Sequence, residues 1–253
     1  MIEYELDRLQ SEGIIPPVEY SDWAALIVPI LKADGTVRIC GDDKMTINCY
    51  SKLDGYYLPK AEDLFTTLMG GQTFTKLDLT NADAQMELDD DSKPNTCINT
   101  HRGLHMYNRC PFGIHSAAPI FQRKMETLLK TVPKTVVFQD DILVTGKSQQ
   151  EHLENLNKVL NRLSQAGLRR RREKCTFMTH EVEYLGHQIS CQGIVPSPSK
   201  VEAIANAPMP QNISELRAFL SMLTLTGYDY SFVYTARVRK CTVLMCQVAC
   251  RFP

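Results

Sequence analysis

The stretch from Val136 to Thr145, VVFQDDILVT, constrains this chain more than any other. Two adjacent carboxylates, Asp140 and Asp141, stand between two apolar runs, the pattern of a tight hairpin with buried arms and a charged turn. Ionised carboxylates held side by side and partly desolvated repel each other, so one protonates unless a hard divalent cation neutralises the pair. Taken alone, the hairpin also reads as an ordinary solvated turn, where Asp is common. What separates the two readings lies elsewhere in the chain.

In Phe74 to Leu79, FTKLDL, strand alternation places Thr75, Leu77 and Leu79 on one side and Phe74, Lys76 and Asp78 on the other. A carboxylate ending an otherwise apolar strand needs a partner. If the two strands are sheet neighbours, Asp78 converges with Asp140 and Asp141, and the three can ligate two Mg²⁺ ions, with Mn²⁺ as the substitute. Two such ions activate an attacking 3′-hydroxyl and stabilise a leaving pyrophosphate, which is nucleotidyl transfer. Other chemistries lack their signatures. There is no G-x-S-x-G, Walker or H-E-x-x-H sequence, and Asp34-Gly35-Thr36 is not the order of an aspartic protease.

The surrounding pattern predicts an α+β fold. An amphipathic helix over residues 1–13 carries Ile2, Leu6 and Leu9, and Asp34-Gly35 joins strands at Ala25–Leu31 and Thr36–Cys40. Pro59–Met69 has helical spacing, Asn81–Leu88 is helix-compatible, and the acidic run LDDDSKPN is a solvated loop without the Gly and Glu of a calcium loop. Short strands are expected at Thr96–Thr100 and Met106–Arg109. A helix capped by Ser116 runs to about Lys130, and one opened by the Ser148/Glu151 capping box carries the stripe Leu153, Leu156, Leu160 and Leu163. The cluster Arg169–Arg172 with Lys174 fits either a phosphate-facing strand or a solvated face. Glu183–Ser190 reads as one strand interrupted by Gly186, where a second backbone can approach closely. Ser199–Ala207 and a segment from Ser214 read as helices, and the tail over residues 225–253 shows no clean period.

Charge and cysteine content narrow the setting. The 28 Lys and Arg nearly balance the 29 Asp and Glu, so any basic track is local. Nine Cys with no C-x-x-C pair favour a reduced, intracellular protein of cytosol or nucleus. The sequence predicts no signal peptide and no transmembrane segment.

FTKLDLTNADAQ, INTHRGLHMYNRCPFGIHSA, FQDDILVTGKSQQEHLENLNKVLNRL and VEYLGHQIS, in this order, resemble the reverse transcriptase domain of gypsy-class LTR retrotransposon Pol polyproteins, relatives of retroviral enzymes. The resemblance covers roughly residues 5–222 and implies a right-hand polymerase of fingers, palm and partial thumb, with an antiparallel palm sheet backed by helices. It implies fingers at 1–55 and 86–110, palm at 56–85 and 111–192, and the start of a thumb or connection at 193–224. By motif, Asp78 resembles the first metal ligand, and Asp140 and Asp141 resemble the paired carboxylates of the family's Y-x-D-D hairpin. Lys32 and Arg38 would grip the triphosphate of an incoming dNTP, the guanidinium suiting bidentate contact. Pro111, Phe112 and Gly113 would lie along the template and nucleotide pocket, and Tyr184, Leu185, Gly186 and His187 resemble the primer grip. An RNA or DNA template with its primer is the implied partner.

The chain departs from the family at several positions. Asp83 stands where an aromatic restricts ribonucleotides, Phe138 replaces the hairpin Tyr, and Gln139 replaces its apolar neighbour. Asp43 replaces a fingers aromatic, and Ala118-Pro119 reverses the usual order. Two functions are therefore set against each other: a Mg²⁺-dependent RNA-directed DNA polymerase, and a catalytically inactive relic that keeps the fold and binds nucleic acid weakly or not at all.

Overall fold

The computed structural model describes residues 1–32, 35–52, 54–208 and 210–224. Asp34 of the first hairpin signal and the 225–253 tail lie outside the described residues. The chain divides into two compact units, Met1–His180 and Glu181 onward.

The first unit holds two sheets. Helix α1 (Ile2–Ser11) buries Leu6 and Leu9 in a core with Ile15, Ala25, Val37, Ile39, Ile98 and Tyr107. Beside it lies a five-stranded sheet of β1 (Pro17–Val18), β2 (Ala25–Leu31), β3 (Val37–Gly41), β5 (Cys97–Thr100) and β6 (Gly103–Met106), in the order β1-β6-β5-β2-β3. Short helices α2 (Ile47–Tyr50) and α3 (Ala61–Leu68) follow β3.

The second sheet has the order β7-β8-β4-β9, from β4 (Thr73–Asp78), β7 (Thr135–Phe138), β8 (Asp141–Gly146) and β9 (Thr176–Thr179). Its pairs are all antiparallel. Leu77 lies opposite Ile142 and Thr75 opposite Val144. Because directly opposed residues share a face, these side chains form one apolar surface. Against it pack α4 (Ala117–Leu129) through Phe121, Met125 and Leu129, and α5 (Gln149–Gln165) through Leu156, Val159 and Leu163. The sheet is thus backed by helices, as expected.

The second unit comprises the antiparallel sheet β10 (Glu181–Tyr184), β11 (His187–Ser190) and β12 (Gly193–Pro196), followed by α6 (Pro198–Asn206) and α7 (Ile213–Thr224). Among the described residues no helix is long and apolar enough to cross a membrane.

Four local expectations are corrected. Asn81–Leu88 is not a helix but a single 3₁₀ turn, Asp83–Gln85. Asn81 is left-handed at φ 45°. Leu88 N–H donates to Asn108 and Cys110 N–H to Met86, so tertiary backbone pairing takes the residues a helix would have used. Ser116 precedes α4 without capping it; its hydroxyl donates to the Lys52 carbonyl and accepts from Asp54 N–H. The α5 stripe is offset, with Leu153 48% exposed while His152 and Asn155 are buried. The Ser148 cap does form, accepting from Glu151 N–H at 3.2 Å, while Glu151 accepts from Lys147 N–H. Finally, Gly186 does not interrupt a strand. Leu185 (φ 50°) and Gly186 (φ 70°) are the two left-handed residues of a hairpin turn between β10 and β11, the conformation a right-twisted pair requires.

Candidate active site

Asp78 ends β4 and Asp141 begins β8, and the register places them directly opposite each other. Both therefore project from the face away from α4 and α5. Asp140 occupies the two-residue turn with Gln139, between Phe138 and Asp141. Convergence across the long sequence gap follows from this pairing.

The turn borders a cavity of about 640 Å³ lined by Lys32, Arg38, Asp78, Asp83, Phe112, Gln139 and Asp140. Seven expected residues thus share one cleft. Arg38 reaches it from β3, its guanidinium stacked 4.3 Å over the Phe112 ring, which fixes the plane of the charge. Pro111 and Gly113 do not line this cavity. Pro111 is buried beside Arg38 and Phe112 at a smaller neighbouring cavity, and Gly113 (φ 108°) accepts from Asn48 through its carbonyl. Tyr184, Leu185, Gly186 and His187 belong to the second unit. There Tyr184 and His187 are buried and opposed in register, so the tip of this hairpin is Leu185 and Gly186.

Cations answer the acids. Lys76, one pleat along from Asp78, places Nζ 3.1 Å from Asp141 Oδ2, and Lys174 Nζ lies 3.9 Å from Asp78 Oδ2. The basic run is brought here by backbone pairing: Thr80 N–H donates to Arg169 and Arg171 N–H to Asp78. Arg171, Glu173 and Lys174 complete the cavity wall. Sequence patterning singled out this basic cluster without a location, and it missed Lys76 as a partner.

Asp140 is exposed at the turn, yet its carboxyl abuts protein on its inner side. Desolvation first, then the charges of Asp83, Asp78 and Asp141, push it up to about 6, against the opposing pull of Arg38. Asp83 is raised by burial and pulled down by Arg38. Among the described residues no three His, Cys, Asp or Glu side chains lie close enough together to hold a metal ion. Asp78 and Asp141 are ion-paired with Lys174 and Lys76 in this arrangement. The donor chemistry still fits a hard divalent cation: hard oxygens on two paired strands, with mutual repulsion that such a charge would relieve.

A sequence profile described as reverse transcriptase (RNA-dependent DNA polymerase) matches residues 30–189. The chain belongs to the reverse transcriptase family. Its relatives include the retrovirus-related Pol polyproteins of the Drosophila melanogaster transposons 297 and opus, 32% and 33% identical over 92% of this chain. An uncharacterised Caenorhabditis elegans protein is 36% identical over 87% of it. The chain spans 17% to 23% of the length of these relatives. Among solved structures it is similar to the foamy viral protease-reverse transcriptase in complex with double-stranded DNA, with a TM-score of 0.82 and 26% identity, covering 88% of this chain and 39% of that one. The same viral enzyme in complex with RNA/DNA hybrid gives a TM-score of 0.76 at 26% identity, over 87% and 30% of the two chains. The resemblance to a gypsy-class reverse transcriptase and the right-hand α+β fold are thereby borne out.

Proposed function

We propose that this chain is the polymerase segment of a retrotransposon Pol protein, adding deoxynucleotides to a primer 3′-hydroxyl on an RNA or DNA template. The observation that carries this is the opposition of Asp78 and Asp141 beside Asp140, at the rim of a cleft whose far wall presents Arg38 and Lys32. In this reading Asp78, Asp140 and Asp141 would hold two Mg²⁺, or Mn²⁺, which supply the charge that activates the hydroxyl and stabilises pyrophosphate. Arg38 and Lys32 orient the triphosphate, and Phe112 holds Arg38 in plane. Lys76 is the counterion of Asp141. Asp83 and Gln139 border the sugar and base side of the nucleotide, while Pro111 lies beside Phe112 at the smaller neighbouring cavity. The hairpin 184–187 would steady the primer terminus.

The domain assignment accompanies this proposal: fingers at 1–55 and 86–110, palm at 56–85 and 111–192, and partial thumb at 193–224. The six described cysteines are free, which supports a reducing compartment, cytoplasm or nucleus. The family match does not favour the inactive relic. Templated primer extension by the purified chain is the test. Asp140→Asn is expected to reduce extension about 100-fold or more with the fold intact. Absence of wild-type extension, or extension unchanged by this substitution, refutes the proposal.

A further inference from the structure

Gln122 has no exposed surface and sits on the inner face of α4, beneath the Gln139-Asp140 turn. Its Oε1 accepts from the backbone N–H of Gln139 at 2.7 Å. Its Nε2 donates to the Val137 carbonyl at 2.8 Å and to Glu126 Oε1 at 2.7 Å. The first two bonds bracket the hairpin turn from below. On the other side, Leu79 N–H of the neighbouring strand donates to the Asp140 carbonyl at 3.0 Å. The turn backbone is therefore held at three points, and the Asp140 carboxyl points into the cleft from a fixed base.

The clamp bears on a strained residue. Gln139 is left-handed, at φ 52°, a conformation that L side chains adopt reluctantly outside Gly, Asn and Asp. A neutral amide meets both needs of the turn at once, accepting from one N–H and donating to one carbonyl. Glu126 settles which end of the amide is which, since an acceptor carboxylate calls for the NH₂ group. Glu126 is itself held by the Tyr56 hydroxyl. Tyr56 N–H donates to Asp54, and Asp54 pairs with Arg123 at 3.0 Å. A hydrogen-bonded chain thus runs from the segment after α2, through α4, to the turn that carries Asp140.

We infer that Gln122 is a positioning residue for Asp140: its amide clamps the strained turn and so aims the carboxylate without touching substrate. This rests on the polymerase reading for its catalytic consequence, but its structural consequence is independent of that reading.

The test uses the full chain and three variants: Gln122→Leu, Glu126→Gln, and Gln122→Leu combined with Gln139→Gly. Backbone amide exchange at residues 137–141 is measured alongside steady-state primer extension. Gln122→Leu is expected to expose the Gln139 amide to exchange about tenfold faster and to lower kcat roughly 10- to 100-fold, leaving KM for dNTP within about threefold. Glu126→Gln, which keeps the helix face and loosens only one bond, gives the same direction with a smaller effect. Adding Gln139→Gly recovers part of kcat, because glycine takes the left-handed conformation without strain. A merely structural loss in α4 would not be rescued in this way. Unchanged exchange at Gln139 in both Gln122→Leu and Glu126→Gln, or wild-type kcat in a variant whose turn has loosened, overturns the inference. If the wild-type chain fails to extend primers, the polymerase reading falls separately, and unchanged exchange still refutes the clamp.

Discussion

Replacing Asp43 with Asn should stabilise the first unit, and the gain should depend on pH. Asp43 is only 6% exposed, and its Oδ2 is buried without a hydrogen-bond partner among the described residues. It is wedged between two glycines: a Cβ on Gly113 would come within 3.2 Å of Oδ2, and one on Gly41 within 3.1 Å of Oδ1. Burial first, and the neighbouring Asp42 second, raise its pKa above the usual carboxylate range. A raised carboxyl binds its proton more tightly folded than unfolded, so its penalty is absent below the unfolded value of 3.8, grows as pH rises from there to the folded value, and is fully present above it. A buried polar group left unpaired costs about 1–3 kcal/mol. Asn has the same shape and leaves that position equally unpaired, but it carries no charge to desolvate, so removing this excess cost should recover about 2 kcal/mol at pH 8. At roughly 2–4 °C per kcal/mol for a chain of this size, Tm should rise by about 4–8 °C. Urea titrations followed by circular dichroism at pH 8 and pH 4 measure both midpoints. A wild-type midpoint at pH 8, or a gain equally large at pH 4, would show that the Asp43 carboxylate is not the liability inferred.

Two further perturbations probe the cleft and its support. Asp83→Tyr removes the first of the like charges that hold Asp140 up at about 6, so the Asp140 pKa in the metal-free chain should fall, read by carboxyl ¹³C NMR titration. Asp140 then stays ionised to lower pH, and primer extension near pH 6 should rise several-fold; no rise would count against the Asp83 charge as what holds Asp140 protonated there. Gly146→Ala should destabilise the first unit by about 2 kcal/mol or more, since its Cβ would lie 2.4 Å from the His152 backbone nitrogen, which cannot rotate away. A denaturant midpoint equal to wild type would mean that α5 can shift off β8 at little cost.

Much of the site was legible because strand periodicity is local. Alternation in FTKLDL separates Asp78 from the apolar side, and the two flanking runs identify the hairpin, both of which the sheet bears out, although the turn itself is Gln139-Asp140 and Asp141 opens β8. Arg38 and Phe112 were identified by motif and meet face to face. Elements that failed did so for non-local reasons. Residues 81–88 carry helix-compatible side chains, but backbone partners at Asn108 and Cys110 claim the hydrogen bonds of Leu88 and Met86. His152 takes a core position in α5 because Thr75 of β4 offers its hydroxyl 2.8 Å from Nε2, a partner no helical period can announce.

Strand periodicity alone dictates that a carboxylate faces away from the apolar side of each strand, since a side chain's direction follows from its place in the period. Tertiary structure decided which strands are neighbours and in what register, and hence that Asp78 lies opposite Asp141. It also decided that Lys76 and Gln122, residues ordinary in sequence, and Lys174 of the basic cluster reach the acids and the turn. Register and approach are set by the sum of contacts between distant segments, and no single segment carries that sum.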